Sequence, residues 1–276
     1  MSEKTSTGAG RLRGKVCIVT GAGTLRGIGW TTILRFADEG IRHVYAVDLN
    51  PTNFGVLRET FEEMYPASNI TFVQGDATNE NVIKSLCDRA LEETGRLDIF
   101  FANAGTFGSQ SPSYDQTPLA DFVECLRVNV GSAFLALKYA SSAIAKTNEA
   151  SGKLDAGGSI ILMGSNSGLR ANSTPVEYGA SKAAVHHLAM SGAYHNNNRG
   201  TGVRVNAVFP GPAGTDFLPA PFQAYVAKRP DLFCSPSAIA NTVLFMASDE
   251  SAFINGTTIT LDNGVTNGYF LESLLD

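Results

Sequence analysis

A single α/β domain, built on a parallel sheet with helices over both faces, is the fold class this 276-residue sequence predicts. Three observations carry that expectation. Short β-rich apolar runs alternate with longer segments of helical period, the signature of βαβ units. Several of the short runs are apolar throughout, as strands covered from both sides must be. No internal repeat or low-complexity linker breaks the series, and α/β chains of 276 residues with 43% hydrophobic composition commonly bury one core. The expected organisation is a flexible polar head over 1–13 and one domain over 14–276.

The elements follow in order. Val16–Thr20 (VCIVT) is an unbroken apolar strand, and the glycine-rich GAGTLRGIGW after it leads into a helix over Ile28–Glu39. Val44–Asp48 and Thr71–Gln74 are the next strands, each β-rich, with helical period over Asn53–Met64 between them. A helix over Asn79–Glu93 leads to the strand Ile99–Ala102. The longest helical stretch, Leu119–Lys146, precedes the strand Ser159–Met163. Tyr178–Asn196 reads as a helix, Arg204–Phe209 as a strand, Ser237–Ala247 as a helix and Thr257–Leu261 as the last strand. Only 147–157 and 211–236, rich in Gly, Pro, Ser and Asn, read as excursions.

Charge and composition exclude several classes of partner. A net charge of −5 and a pI near 5.4 leave no broad basic surface, so nucleic acid and anionic lipid are not expected. Lys138 interrupts the most apolar long helix, so no membrane span is expected, and the polar start lacks a signal peptide's apolar stretch. Cys17, Cys87, Cys125 and Cys234 are scattered, which predicts neither zinc nor disulfides and fits a reducing cytoplasm. His186, His187 and His195 have no carboxylate or cysteine at metal spacing, so they read as structural or surface residues and no metal is expected.

In such a sheet, ligands bind beyond the carboxyl ends of the strands, so the residues that follow each strand matter most. Glycines stand at 21, 23, 27 and 29, which is not the G-x-G-x-x-G spacing. Gly21 leaves the strand, while Gly27 and Gly29 flank Ile28 at the helix start, where backbone N–H groups can face a pyrophosphate; the alternative is a plain strand-to-helix turn. Asp48, followed by Leu49, can accept both ribose hydroxyls of an adenosine and repel a 2′-phosphate. Arg26 points the other way, because a guanidinium fork pairs well with a phosphate. The carboxylate sits where the ribose must lie, so NAD is favoured and NADP is the alternative. Asp76 and Ala77 can hold an adenine edge, and Asn103-Ala104-Gly105 are small enough for a cofactor to lie against the backbone.

Ser165 follows the fifth strand, and Tyr178 and Lys182 lie four apart, on one face of a helix. A phenol is a poor base at neutral pH, and an adjacent positive charge favours phenolate. Lowering its pKa by about three units takes about 4 kcal/mol, which Lys182 together with an oxidised nicotinamide is expected to supply. Tyr178 would then move the proton of a substrate hydroxyl, with Ser165 bonded to the same oxygen.

Taken together these residues resemble the short-chain dehydrogenase/reductase family, from about residue 13 to 265. The matching pieces are Thr20-Gly21 through Gly27-Ile28-Gly29, Asp48, Asp76, Asn103-Ala104-Gly105, Asn129, Ser165, Tyr178-x-x-x-Lys182 and Pro210-Gly211-x-x-x-Thr215. The resemblance implies a single-domain Rossmann fold with a doubly wound parallel seven-stranded sheet, a nicotinamide cofactor and a Ser165, Tyr178, Lys182 site assisted by Asn129, which would hold a relay water beside Lys182. It implies that Pro210, Gly211, Ala213 and Thr215 approach the cofactor, and that a substrate lid spans about 213–236. Phe217, Phe222, Tyr225 and Phe233 in that lid favour a bulky apolar or aromatic alcohol or ketone as the small-molecule substrate. The chain departs from the family in five residues, rather than three, between its first loop glycine and the middle one, and in Ala102, Gly164 and Asp262-Asn263-Gly264. A homodimer or homotetramer is also implied, through the helices carrying Asn129 and Tyr178. Two alternatives to hydride transfer stand beside it: a dehydratase or isomerase on the same scaffold, and a non-catalytic nucleotide-sensing module.

Overall fold

The computed structural model describes residues 8–109, 113–171, 174–218 and 233–267. Seven parallel strands form one sheet: β1 (Val16–Thr20), β2 (His43–Asp48), β3 (Asn69–Gln74), β4 (Ile99–Ala102), β5 (Gly158–Met163), β6 (Val203–Pro210) and β7 (Thr258–Leu261). Their order across the sheet is β3-β2-β1-β4-β5-β6-β7. The order reverses between β1 and β4, and the crevice at such a switch is where doubly wound sheets bind ligands.

Side chains alternate across a strand, and here both sets are buried. Ile18, Tyr45, Phe100, Ile160 and Val205 point into one core. It is closed by α3 (Glu80–Thr94), α5 (Ser132–Ile144) and α6 (Val176–Asn198). Cys17, Val44, Phe101, Ile161 and Val208 point into the other. That core is closed by α1 (Ile28–Asp38), α2 (Phe54–Met64) and α7 (Pro236–Ala247). Two cores on two faces explain why the strands read as unbroken apolar runs.

Two expectations are corrected. The single helix expected over Leu119–Lys146 is α4 (Leu119–Leu126), then a π turn over Arg127–Gly131, then α5. Such turns carry an extra residue and occur often at functional sites. The loose head expected over 1–13 is packed from residue 8 onward: Leu12 is fully buried, and Arg11 pairs with Glu39 at 2.7 Å. Residues 1–7 lie outside the described residues. At the end of the sheet away from the crevice, Asp98 accepts from the Val16 N–H at 2.9 Å and from Arg96 at 2.8 Å. Lys153, buried in the expected excursion 147–157, stands 3.6 Å from the same carboxylate and ties that excursion to the sheet.

Candidate active site

A cleft of about 950 Å³ runs along the carboxyl ends of the strands. One wall is built from glycines because the chain passes itself closely there. Gly21 has φ of 67°, and a Cβ on it would stand 2.8 Å from the Asn103 amide nitrogen. A Cβ at Gly29 would run into the Gly21 carbonyl. Asn103 locks this crossing by donating to the carbonyls of Thr20 at 3.0 Å and Gly21 at 2.9 Å. The stretched loop is therefore an ordered strand-to-helix turn, and Gly21, Gly27 and Ile28 line the cleft.

Asp48 and Leu49 line the same wall. The Asp48 carboxylate accepts from the Gly23 N–H at 2.7 Å and the Asn50 N–H at 2.9 Å. An ionised carboxylate has about four lone-pair sites, so acceptor capacity remains for hydroxyl groups. Arg26 is not among the wall residues. Its guanidinium donates instead to Asp216, from Nε at 2.9 Å and from Nη2. Asp76 and Ala77 also line the wall. Burial pushes the Asp76 carboxyl up, but hydrogen bonds from the Thr78 N–H at 2.8 Å and hydroxyl at 2.7 Å, with Arg127 nearby, hold it below the usual carboxylate range.

From this crossing β4 runs out through Asn103, Ala104 and Gly105, all on the cleft wall. The π turn brings Asn129 to that loop. Its side chain accepts from the Thr106 N–H at 2.8 Å and donates to the Thr106 carbonyl at 2.9 Å and the Ser181 hydroxyl at 2.9 Å. Asn129 and Lys182 meet at Gly105, where a Cβ would stand 2.9 Å from Asn129 Oδ1 and 3.5 Å from Lys182 Nζ.

Ser165, Tyr178 and Lys182 all face the cleft and are all buried. Ser165 Oγ accepts from the Ser167 N–H at 3.2 Å and donates to the Ser167 hydroxyl at 3.1 Å. Gly164 precedes it because a Cβ there would enter the Phe209 ring, which accounts for the missing serine at that position. Lys182 Nζ donates to the Met163 carbonyl at 2.9 Å and lies 5.6 Å from the Tyr178 ring centroid.

Burial dominates the electrostatics of the chain's own groups at this site. Burial pushes the Tyr178 phenol up to about 12, with the Ser165 hydrogen bond pulling weakly the other way. Burial also pushes the Lys182 ammonium down to about 8. Among the chain's own groups burial dominates, and Lys182 is not one of those that move the phenol.

Pro210 at the end of β6, with Gly211, Ala213 and Thr215 beyond it, completes the cleft wall. A Cβ at Gly211 would stand 2.9 Å from Asp262, and the Ala213 segment pairs with Cys234. Asp262 itself accepts from Asn166 at 3.2 Å and from the Gly264 N–H at 3.1 Å. Of the expected lid aromatics, Phe217 stands on the wall, Phe233 does not line it, and Phe222 and Tyr225 lie outside the described residues. Sequence reasoning missed Phe107. Its ring packs on Tyr178 at 4.9 Å between centroids and meets Phe217 edge-on at 6.0 Å. An aromatic two residues beyond the small Asn103-Ala104-Gly105 turn was the available signal. His186 bonds Thr258 at 2.7 Å and meets Phe209 edge-on, while His187 and His195 are exposed. No metal-competent cluster occurs among the described residues.

Known proteins are similar to this chain in sequence and in fold. A family model described as "Enoyl-(Acyl carrier protein) reductase" matches residues 21–266, most of the chain. The chain belongs to the short-chain dehydrogenase/reductase family. It is 31% identical to a 3-oxoacyl-[acyl-carrier-protein] reductase of Thermotoga maritima, over 92% of this chain and 99% of that one. It is also 31% identical to the xanthoxin dehydrogenase of Arabidopsis thaliana, over 96% and 94% of the two chains. A short chain dehydrogenase of Mycobacterium paratuberculosis, solved with NAD, superimposes with a TM-score of 0.77 at 29% identity, covering 94% of this chain and all of that one. These relatives are dehydrogenases and reductases, so small-molecule oxidoreduction is the family's chemistry.

Proposed function

We propose that the protein is an NAD-preferring short-chain dehydrogenase that interconverts a secondary alcohol and its ketone, with Tyr178 as general acid/base. One observation carries this reading: Ser165, Tyr178 and Lys182 open onto the same cleft whose far end holds the glycine crossing and Asp48. The crossing suits a dinucleotide, since Gly21 and Gly29 leave room for no side chain and Asp48 keeps free acceptor sites. When bound, a nicotinamide supplies the carbon that gives or takes hydride and, oxidised, one positive charge.

The remaining work falls to the chain. Tyr178, held neutral by burial, is set to give its proton to the oxygen of a ketone as that oxygen gains charge. Ser165 sits beside the phenol to bond the same oxygen, and Lys182, charged below about pH 8, adds a positive field from beneath the ring. Asn129 fixes the Thr106 turn and, next to Lys182, is placed to hold a relay water. Phe107 and Phe217 dry the substrate end, which favours a bulky apolar or aromatic substrate. In this reading residues 14–276 act as one catalytic domain in a reducing cytoplasm, in keeping with four free thiols. Leu119 and Val123 on α4, Phe134 on α5, and Met190 and Tyr194 on α6 are exposed apolar residues suited to a homodimer or homotetramer contact.

The deciding experiment follows the near-ultraviolet absorbance of reduced nicotinamide while the protein is mixed with NAD and a panel of secondary alcohols, or with NADH and the ketones. Turnover of apolar or aromatic members is the expected result. A panel that leaves the nicotinamide unchanged, with another conversion of the substrate abolished by Tyr178→Phe, would favour non-redox chemistry instead. Asp48→Ala is expected to weaken NAD binding by about tenfold or more, since hydrogen bonds to a charged acceptor contribute about 1.5–3 kcal/mol each. The same change should lower discrimination against NADP, and an unaltered preference would remove Asp48 from the ribose site.

A further inference from the structure

The loop between Gly21 and Gly27 is held at two carboxylates on opposite sides of β1. On the β2 side the Gly23 N–H donates to Asp48 at 2.7 Å. On the β6 side Arg26 donates from Nε to Asp216 at 2.9 Å, and from Nη2 to the same oxygen. The turn that directs Arg26 there is closed by the Gly27 N–H bonded to the Thr24 carbonyl at 2.9 Å. Asp216 is a residue of the cleft wall and follows the buried Thr215.

A guanidinium fork fits a carboxylate and a phosphate by the same donors, so it cannot serve both at once. Arg26 stands three residues from Gly23, at most about 10 Å of chain, and Gly23 touches the carboxylate assigned to the adenosine ribose. Freed from Asp216, the arginine side chain is within reach of that ribose. We propose that Asp216 is a specificity-determining residue. By engaging Arg26 it withholds from the cleft a guanidinium that would otherwise pair with the 2′-phosphate of NADP, and it places its own negative charge on the wall.

This inference rests on the nicotinamide reading of the cleft. Two acids thus discriminate against NADP by different means: Asp48 by occupying the ribose position, and Asp216 by diverting a cation.

Equilibrium titration of the full chain with NADH and NADPH, read by nicotinamide fluorescence, tests it without any turnover. Asp216→Asn is expected to raise NADPH affinity relative to NADH by about tenfold, the gain of one charge-assisted hydrogen bond. Arg26→Ala alone should move that ratio by no more than about twofold, as for an exposed residue with no ligand contact. Added to Asp216→Asn, it should cancel the gain. Asp216→Ala gives the same readout with no side-chain oxygen left to hold the guanidinium. A ratio unmoved by both Asp216 variants, or a gain that survives Arg26→Ala, overturns the proposal. Failure of wild type to bind either nucleotide overturns the nicotinamide reading instead.

Discussion

Tyr178→Phe is expected to lower kcat for ketone reduction by about 10³-fold, the scale of a lost general acid. The dissociation constant for NADH should stay within about twofold, because the change removes one oxygen and leaves the ring in place. That ring packs on Phe107 and beside Lys182, so the fold at the site is kept while the proton donor is lost. Burial pushes the phenol up to about 12, which favours its protonated form. As the proposed proton donor in reduction it would need no prior ionisation. In the direction of alcohol oxidation the same proton must leave first, and the chain's own groups do not favour that step. Steady-state rates in both directions, with nucleotide binding measured separately, check this. Retention of more than a tenth of wild-type turnover by the phenylalanine variant would mean that another group moves the proton.

The fold was legible because the strands obey a simple rule. A strand buried on both faces has no polar alternation, so Val16–Thr20 and Ile99–Ala102 appear as unbroken apolar runs with the observed boundaries. The helix expected over Leu119–Lys146 was not fully legible, since a π turn at Arg127–Gly131 changes the register without any change in helix propensity. Many residues that line the cleft follow a strand in the sequence, and Tyr178 and Lys182 share a helix face, but the partners of these residues were not legible. Nothing local ties Arg26 to Asp216, 190 residues away, or shows that Asp48 grips Gly23. Protonation was the least legible property. Spacing places Tyr178 and Lys182 on one helix face, yet their pKa values are set by burial, which depends on the whole cleft.

Lys182→Met carries the second large expected effect, and its pH dependence separates charge from shape. Lys182 is buried, and its pKa lies near 8 rather than 10.5 because burial disfavours the ammonium form. Below about pH 8 the group is charged and above it the charge is lost, so under the proposed role the rate should fall as pH rises through that value. Methionine keeps much of the side chain's volume without the charge. The variant should lose about 10²-fold or more in kcat, and its residual rate should no longer fall near pH 8. Stability should respond with the opposite sign. An unfolded lysine holds its proton to about 10.5, so between about 8 and 10.5 the unfolded chain binds more protons and wild-type stability rises with pH from this group. At neutral pH the charged, desolvated ammonium costs about 3 kcal/mol relative to an unburied one, partly offset in the variant by losing the bond to Met163. Lys182→Met should thus unfold at a temperature no lower than wild type at pH 7. A large drop in that temperature, or a limb near pH 8 that persists in the variant, would assign Lys182 to holding the fold and leave the titration to another group.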